Sequence, residues 1–137
     1  MSCILRISGE LLDIDSLLSK YPLVVDRTWK KGEPGTLKGK FHSDSGANFA
    51  ASEADLDEFD RQMTDAIEFL ELHAPTLAKI VLFPGVQKAI LDFGVALSEG
   101  YVAQFSYLPP KFIQLAASAG VGVEISHYAC SSEDEER

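Results

Sequence analysis

The chain has 137 residues, a formal net charge of −9 and an apolar share of 46%. A chain of this length buries roughly 70% of its unfolded surface, so it can hold a core without disulfides or a metal. The acidic balance excludes the basic footprint of a nucleic-acid binder and any pull toward anionic lipid headgroups.

Residues 3–8 are apolar and partly β-branched, which predicts a strand. Alternation puts Cys3, Leu5 and Ile7 on one side and Ile4, Arg6 and Ser8 on the other. Gly9 ends it. Asp13 or Asp15 caps a short helix over Ile14–Lys20, with Leu17 and Leu18 inward, and Pro22 stops that helix. Val24–Trp29 reads as a second strand. Residues 30–48 are rich in Gly, Lys and Ser, with turns at Gly32, Pro34, Gly35 and Gly39. A short third strand is expected within them, over Leu37–His42.

Ser52 and Asp55 resemble a capping box that opens a longer helix. Leu56, Phe59, Met63, Ala66, Ile67 and Leu70 recur every three or four residues, which makes one apolar stripe. Asp57, Glu58, Asp60, Arg61, Asp65, Glu68 and Glu71 cover the other face. Pro75 is expected to end or kink this helix near His73, with a shorter helix over Thr76–Leu82. Lys88–Leu97 alternates as a strand with one fully apolar face. Ser98-Glu99-Gly100 suggests a hairpin turn into a partner strand over Tyr101–Leu108. Pro109-Pro110 opens a helix with Phe112, Leu115, Ala116 and Ala119 inward, and Gly120 caps it. Val121–Ala129 is the last strand, with His127 on its inward face.

The order predicts an α+β fold. A mostly antiparallel sheet of about five to six strands should carry helices on one face, with a ferredoxin-like ββαβ C-terminal half. One domain is expected over residues 1–130, and a disordered acidic tail over 131–137. Cys3 and Cys130 form no CxxC pair, and free thiols fit a reducing compartment. The N-terminal residues lack the apolar region of a signal peptide, and no apolar run reaches the roughly 20 residues of a membrane span. A cytoplasmic location is therefore expected.

Three stretches together carry a family resemblance. They are Ile7-Ser8-Gly9 with the Asp13–Leu18 helix start, Trp29-Lys30-Lys31-Gly32-Glu33-Pro34, and Leu108-Pro109-Pro110 through Gly120 into Val121–Tyr128. In order and spacing the chain resembles the bacterial domain-of-unknown-function family 4279 over nearly its whole length. The resemblance implies an α+β domain, bacterial and cytoplasmic, with no accepted activity. Small orphan bacterial families of this kind include immunity proteins against secreted toxins. An acid is expected near the end of the last strand in such a family, and His127-Tyr128 stands there instead.

Two surfaces stand out as candidate sites. The first is the acidic face of the long helix, where Asp57, Glu58, Asp65 and Glu68 could receive a basic protein. The second is the basic loop over residues 27–40. There Arg27, Lys30 and Lys31, with Trp29 as a stacking face, could hold a phosphate or carboxylate. If the second sheet face is open, Arg6, Asp92, Gln104, Glu124 and Tyr128 could line a polar groove. His42-Ser43-Asp44-Ser45-Gly46 holds the residue types of a hydrolase triad, but adjacency does not build one, and a polar turn is the better reading. The histidines and cysteines lack metal-ligand spacing.

The leading expectation is a non-catalytic protein-binding domain, in concrete form an immunity-type protein that neutralises a basic toxin. An anion or small-molecule binder using loop 27–40 comes second, and a hydrolase using His42 or His127 third. No catalytic set, metal or cofactor is expected. Partners exclude nucleic acid and membrane, and the chain is read as a monomer or homodimer.

Overall fold

The structure, a computed structural model, describes residues 2–100 and 102–129. The acidic tail expected over 131–137, and Cys130, lie outside the described residues. The elements are β1 (Cys3–Gly9), α1 (Ile14–Lys20), β2 (Val25–Trp29), β3 (Ser45–Ser52), α2 (Phe59–Ile80), β4 (Lys88–Leu97), α3 (Pro110–Ala119) and β5 (Gly122–Ala129). The five strands form one sheet in the order β2-β3-β1-β4-β5. β1 pairs antiparallel with β3 and β4, β2 pairs antiparallel with β3, and β5 runs parallel to β4. The fold is α+β, with a mostly antiparallel sheet.

From β1 to β4 the chain runs βαββαβ, with β1 and β3 central. This is the ferredoxin-like, split βαβ arrangement. It therefore occupies the N-terminal part of the chain and not the C-terminal half, and α3 with β5 is an addition to it. The expected strand over 101–108 does not form among the described residues. β4 already has β1 on one side and β5 on the other, so no edge is left for a hairpin partner. Residues 102–108 instead make an irregular, mostly exposed segment. Gln104 pins it, donating to the Ala96 carbonyl at 2.9 Å and accepting the Ser98 N–H at 2.9 Å.

The third strand is displaced too. Leu37–His42 contributes only an isolated bridge between Pro34 and Phe41. The true β3, Ser45–Ser52, begins inside the turn-rich stretch of residues 30–48 and ends at the Ser52 read as a helix start. Its only large apolar side chain is Phe49, and glycine, alanine and serine give it little strand propensity. It forms because it lies between β1 and β2, where both its edges are paired.

The start and continuity of α2 also differ from expectation. Ser52 does not cap the helix. Its hydroxyl accepts the Ala54 N–H at 3.1 Å and donates to Asp65 at 2.7 Å, which latches β3 to α2. Glu58 is the N-cap residue, and its carboxylate accepts the Asp55 N–H at 3.0 Å. Pro75 does not break α2, which continues to Ile80. One missing hydrogen bond is tolerated there because Leu70, Leu77 and Ile80 are anchored in the core on both sides of it. No helix among the described residues is long and apolar enough to cross a membrane.

One core lies between the sheet and the helices. β1 supplies Cys3, Leu5 and Ile7, β3 supplies Ala47 and Phe49, and β4 supplies Leu91 and Phe93. Over them lie Ile14 and Leu17 of α1, Met63, Ala66, Leu70 and Leu77 of α2, and Phe112, Ala116 and Ala119 of α3. Phe93 meets the Phe112 ring edge-on at 5.5 Å and the Phe59 ring at 5.4 Å. Gly120 ends α3 in the left-handed conformation at φ 76°, as expected. Cys3 is a free, buried thiol whose pKa is pushed up by burial, then by Asp92 and Asp65. It is held protonated and inert.

Two predictions follow from this packing. Phe93→Ala should cost about 3–5 kcal/mol in chemical denaturation, whereas exposed Leu82→Ala should stay within about 0.5 kcal/mol. Asp13 caps α1 and accepts from the Ser16 hydroxyl at 2.8 Å and the Ser16 N–H at 3.2 Å. Those bonds, the hydroxyl first, hold its carboxyl below the ordinary aspartate range. A depressed folded pKa contributes stability that is present above the unfolded value and lost as pH falls through the folded one. Asp13→Ala should abolish that acid-side component, read from denaturation midpoints across acidic pH.

Candidate functional site

Packing one sheet face under the helices leaves the other face open. Alternation then assigns its residues: Ile4, Arg6 and Ser8 from β1, Asn48 from β3, Arg27 and Trp29 from β2, and Lys88, Ile90 and Asp92 from β4. β5 adds Glu124, Ser126 and Tyr128, with Glu124 beside Asp92 in the parallel ladder.

Arg6 sits at the centre of this face. Its guanidinium pairs with Asp92 at 3.1 Å and with Glu124 at 3.4 Å, and the Ser126 hydroxyl donates to Asp92 at 2.8 Å. Asp92 is 8% exposed, so the first pair is substantially shielded from water. The polar groove expected from strand parity is therefore present, and Arg6, Asp92, Glu124 and Tyr128 belong to it. Gln104 does not, because it is held by the irregular segment after β4.

Two cavities open on this face, and Arg6 lines both. The larger, about 450 Å³, lies between Arg27, Trp29, Thr36, His42, Lys88 and Glu124. The smaller, about 260 Å³, is walled by Ser2, Ile4, Leu56, Asp92, Gly94 and Tyr128.

Trp29 is held in place at the larger cavity. Its indole N–H donates to Asp44 at 2.9 Å, and its ring stacks on His42 at 5.9 Å and 28°. Beneath it a side chain at Gly46 would place Cβ 2.6 Å from the indole and 2.4 Å from the Ile7 carbonyl. His42 and Asp44 thus serve the indole and do not assemble the triad types into a catalytic set. Asn48 also lines this cavity, and its Oδ1 is buried without a hydrogen-bond donor among the described residues.

The anion-binding residues expected from the loop are divided between two places. Arg27 and Trp29 face the open groove. Lys30 turns toward α1 and pairs with Asp15 at 2.6 Å, while the Lys31 N–H donates to Ser45 at 2.9 Å. Hydrogen bonding and attraction from Asp15 raise the Lys30 pKa. Lys88, which sequence reasoning did not single out, takes their place. Its register opposite Ser8 brings it to the groove, and no sequence pattern announces a register. Among the described residues, neither Arg27 nor Lys88 is in an ion pair.

The acidic-face residues also differ among themselves. Asp65 is engaged by Ser52, and Glu58 turns back to the Asp55 N–H with Arg61 at 3.8 Å. Asp57 and Glu68 remain exposed. Carboxylate oxygens of Asp55, Asp57 and Glu58 lie within 4.8 Å of one another in the turn before α2. Exposed acids at a helix start need no ion to explain them. His127, expected to face inward, is exposed at the far end of the edge strand β5.

No protein-family model, no curated protein and no solved structure matches the chain. The resemblance to family 4279 therefore rests on its own residues, and the class defined by strand order is a ferredoxin-like α+β domain with an added α3–β5 unit.

Gly46→Ala should displace the indole. Overpacking at this position should cost about 1–3 kcal/mol, and Trp29 emission should shift to the red as the ring moves into water.

Proposed function

We propose that this is a binding domain for small anionic molecules, held on the open face of the sheet. The observation that carries this reading is that Arg27 and Lys88, in no ion pair among the described residues, line one groove together with Trp29. A chain of net charge −9 has few places where an anion is welcome, and two exposed cations beside acids already engaged by Trp29 and Arg6 are the exception. Arg27 offers a bidentate fork for phosphate or carboxylate, Lys88 a point charge, and Thr36 and His42 further polar groups.

The sequence expectation of a basic protein partner is the second reading. Exposed Asp57 and Glu68 support it, together with the resemblance to family 4279 and its bacterial, cytoplasmic, immunity-type implication. Engagement of Asp65 and Glu58 by their own chain weakens that surface as a charge target.

Trp29 is the only tryptophan, so its fluorescence reports the groove directly. Inorganic phosphate titrated at low ionic strength should change the emission saturably. Arg27→Ala and Lys88→Ala should each weaken binding by about tenfold or more. An emission unchanged at millimolar phosphate would remove this reading, and a basic protein retained only by the Asp57 and Glu68 surface would favour the second.

A further inference from the structure

The smaller cavity on the same face has features that an anion site does not need. Ser2 is 6% exposed, yet its hydroxyl has no hydrogen-bond partner among the described residues. The residue is not loose. Its N–H donates to the Ser52 carbonyl at 3.2 Å and its carbonyl accepts the Gly94 N–H at 2.6 Å. A fixed backbone thus holds an unsatisfied, almost fully buried hydroxyl on a residue that lines a cavity of about 260 Å³. Burying such a group without a partner is costly, and the cost is relieved by a ligand that bonds to it.

Asp92, also in that wall, is 8% exposed. One of its oxygens accepts from Ser126 and the other from Arg6, which leaves lone pairs on both. Arg6 already balances its charge, so the remaining capacity suits an uncharged donor better than a second cation. Ile4, Leu56 and Tyr128 supply apolar and aromatic walls, and Gly94 leaves the space open. A Cβ at Gly94 would lie 2.9 Å from Leu56 Cδ2, 3.1 Å from the Ser2 carbonyl and 3.3 Å from the Tyr128 ring, all of them cavity walls. Along β4 Asp92 lies four positions beyond Lys88, a rise of about 13 Å.

We infer that the cavity between Ser2, Asp92 and Gly94 is a second subsite, so that the ligand is a phosphorylated molecule whose far end is an uncharged ring donating hydrogen bonds. The inference rests on the anion-binding reading above. The anion sits at Arg27 and Lys88, the chain of the ligand passes Arg6, and the ring inserts between Ile4, Leu56 and Tyr128. Its N–H or O–H groups donate to Asp92, and the Ser2 hydroxyl donates to an acceptor on the ring. A purine base and a sugar ring share this chemistry.

Isothermal titration with three probes tests it: inorganic phosphate, guanosine 5′-monophosphate and a disaccharide phosphate. The expected result is that one of the two larger probes binds at least about tenfold more tightly than phosphate, and which one it is distinguishes base from sugar. Ser2→Ala removes the hydroxyl with little risk to folding, and Gly94→Ala fills the cavity. Both should erase the gain while leaving phosphate binding unchanged. Arg27→Ala should weaken all three probes. If phosphate binds but neither larger probe gains, or the gain survives both variants, the second subsite is wrong and the anion site stands. If phosphate itself fails to bind, the anion-binding reading falls, and this inference with it.

Discussion

A guanidinium on the central strand of a sheet has to be answered by acids, and Arg6 is in that position. Strand alternation sends Cys3, Leu5 and Ile7 into the core, so Arg6 is forced onto the opposite face, flanked on both sides by other strands. Asp92 of β4 and Glu124 of β5 provide the answer, and Ser126 completes Asp92. Truncating either member of the shielded Arg6–Asp92 pair would leave a charge poorly solvated, so the two act as a unit. The cluster also ties β1, β4 and β5 together across the open face. β5 is mostly exposed and adds little to the core, so the ladder to β4 and these side-chain bonds are much of what holds it.

The same cluster shapes the groove. Asp92 and Glu124 are occupied by Arg6, and Asp44 by the Trp29 indole. On the other side of the sheet Asp15 takes Lys30. What remains on the open face is Arg27 and Lys88, cations whose neighbouring acids are already engaged. An acidic protein thus presents a locally basic cleft without any excess of basic residues. Rim charges there remain subject to salt, since they lie near the surface.

Much of this was legible in the sequence, for reasons that can be named. β1, β4 and α3 carry strong periodicity, and Asp13, Pro110 and Gly120 mark helix ends by their own chemistry. The polar face was legible because parity depends only on which side is apolar. β3 was not, because Ser-Gly-Ala-Asn-Phe-Ala-Ala-Ser has no β-branched residue and owes its strand to pairing on both edges. The hairpin after β4 failed for the converse reason. Its segment has aromatics and a turn before it, but the edge of β4 belongs to a strand that arrives later in the chain. Lys88 was invisible for a related reason, since strand register is a tertiary fact.

The position of Gly46 and Gly94 joins these points. Each lies on the open face, and each occupies a place where a side chain would collide with a groove wall, the indole in one case and Leu56 in the other. In a strand interior glycine is unfavourable by itself, so two such residues on one face weaken the sheet that carries them. The weakness is offset by pairing: Gly46 lies in a strand bonded on both edges, and the Gly94 N–H is taken by Ser2. What the glycines leave behind is relief in an otherwise flat surface, a shelf for Trp29 at one end and a cavity against Ser2 at the other. A sheet face needed only for solubility has no use for that relief, whereas a face that receives a ligand depends on it.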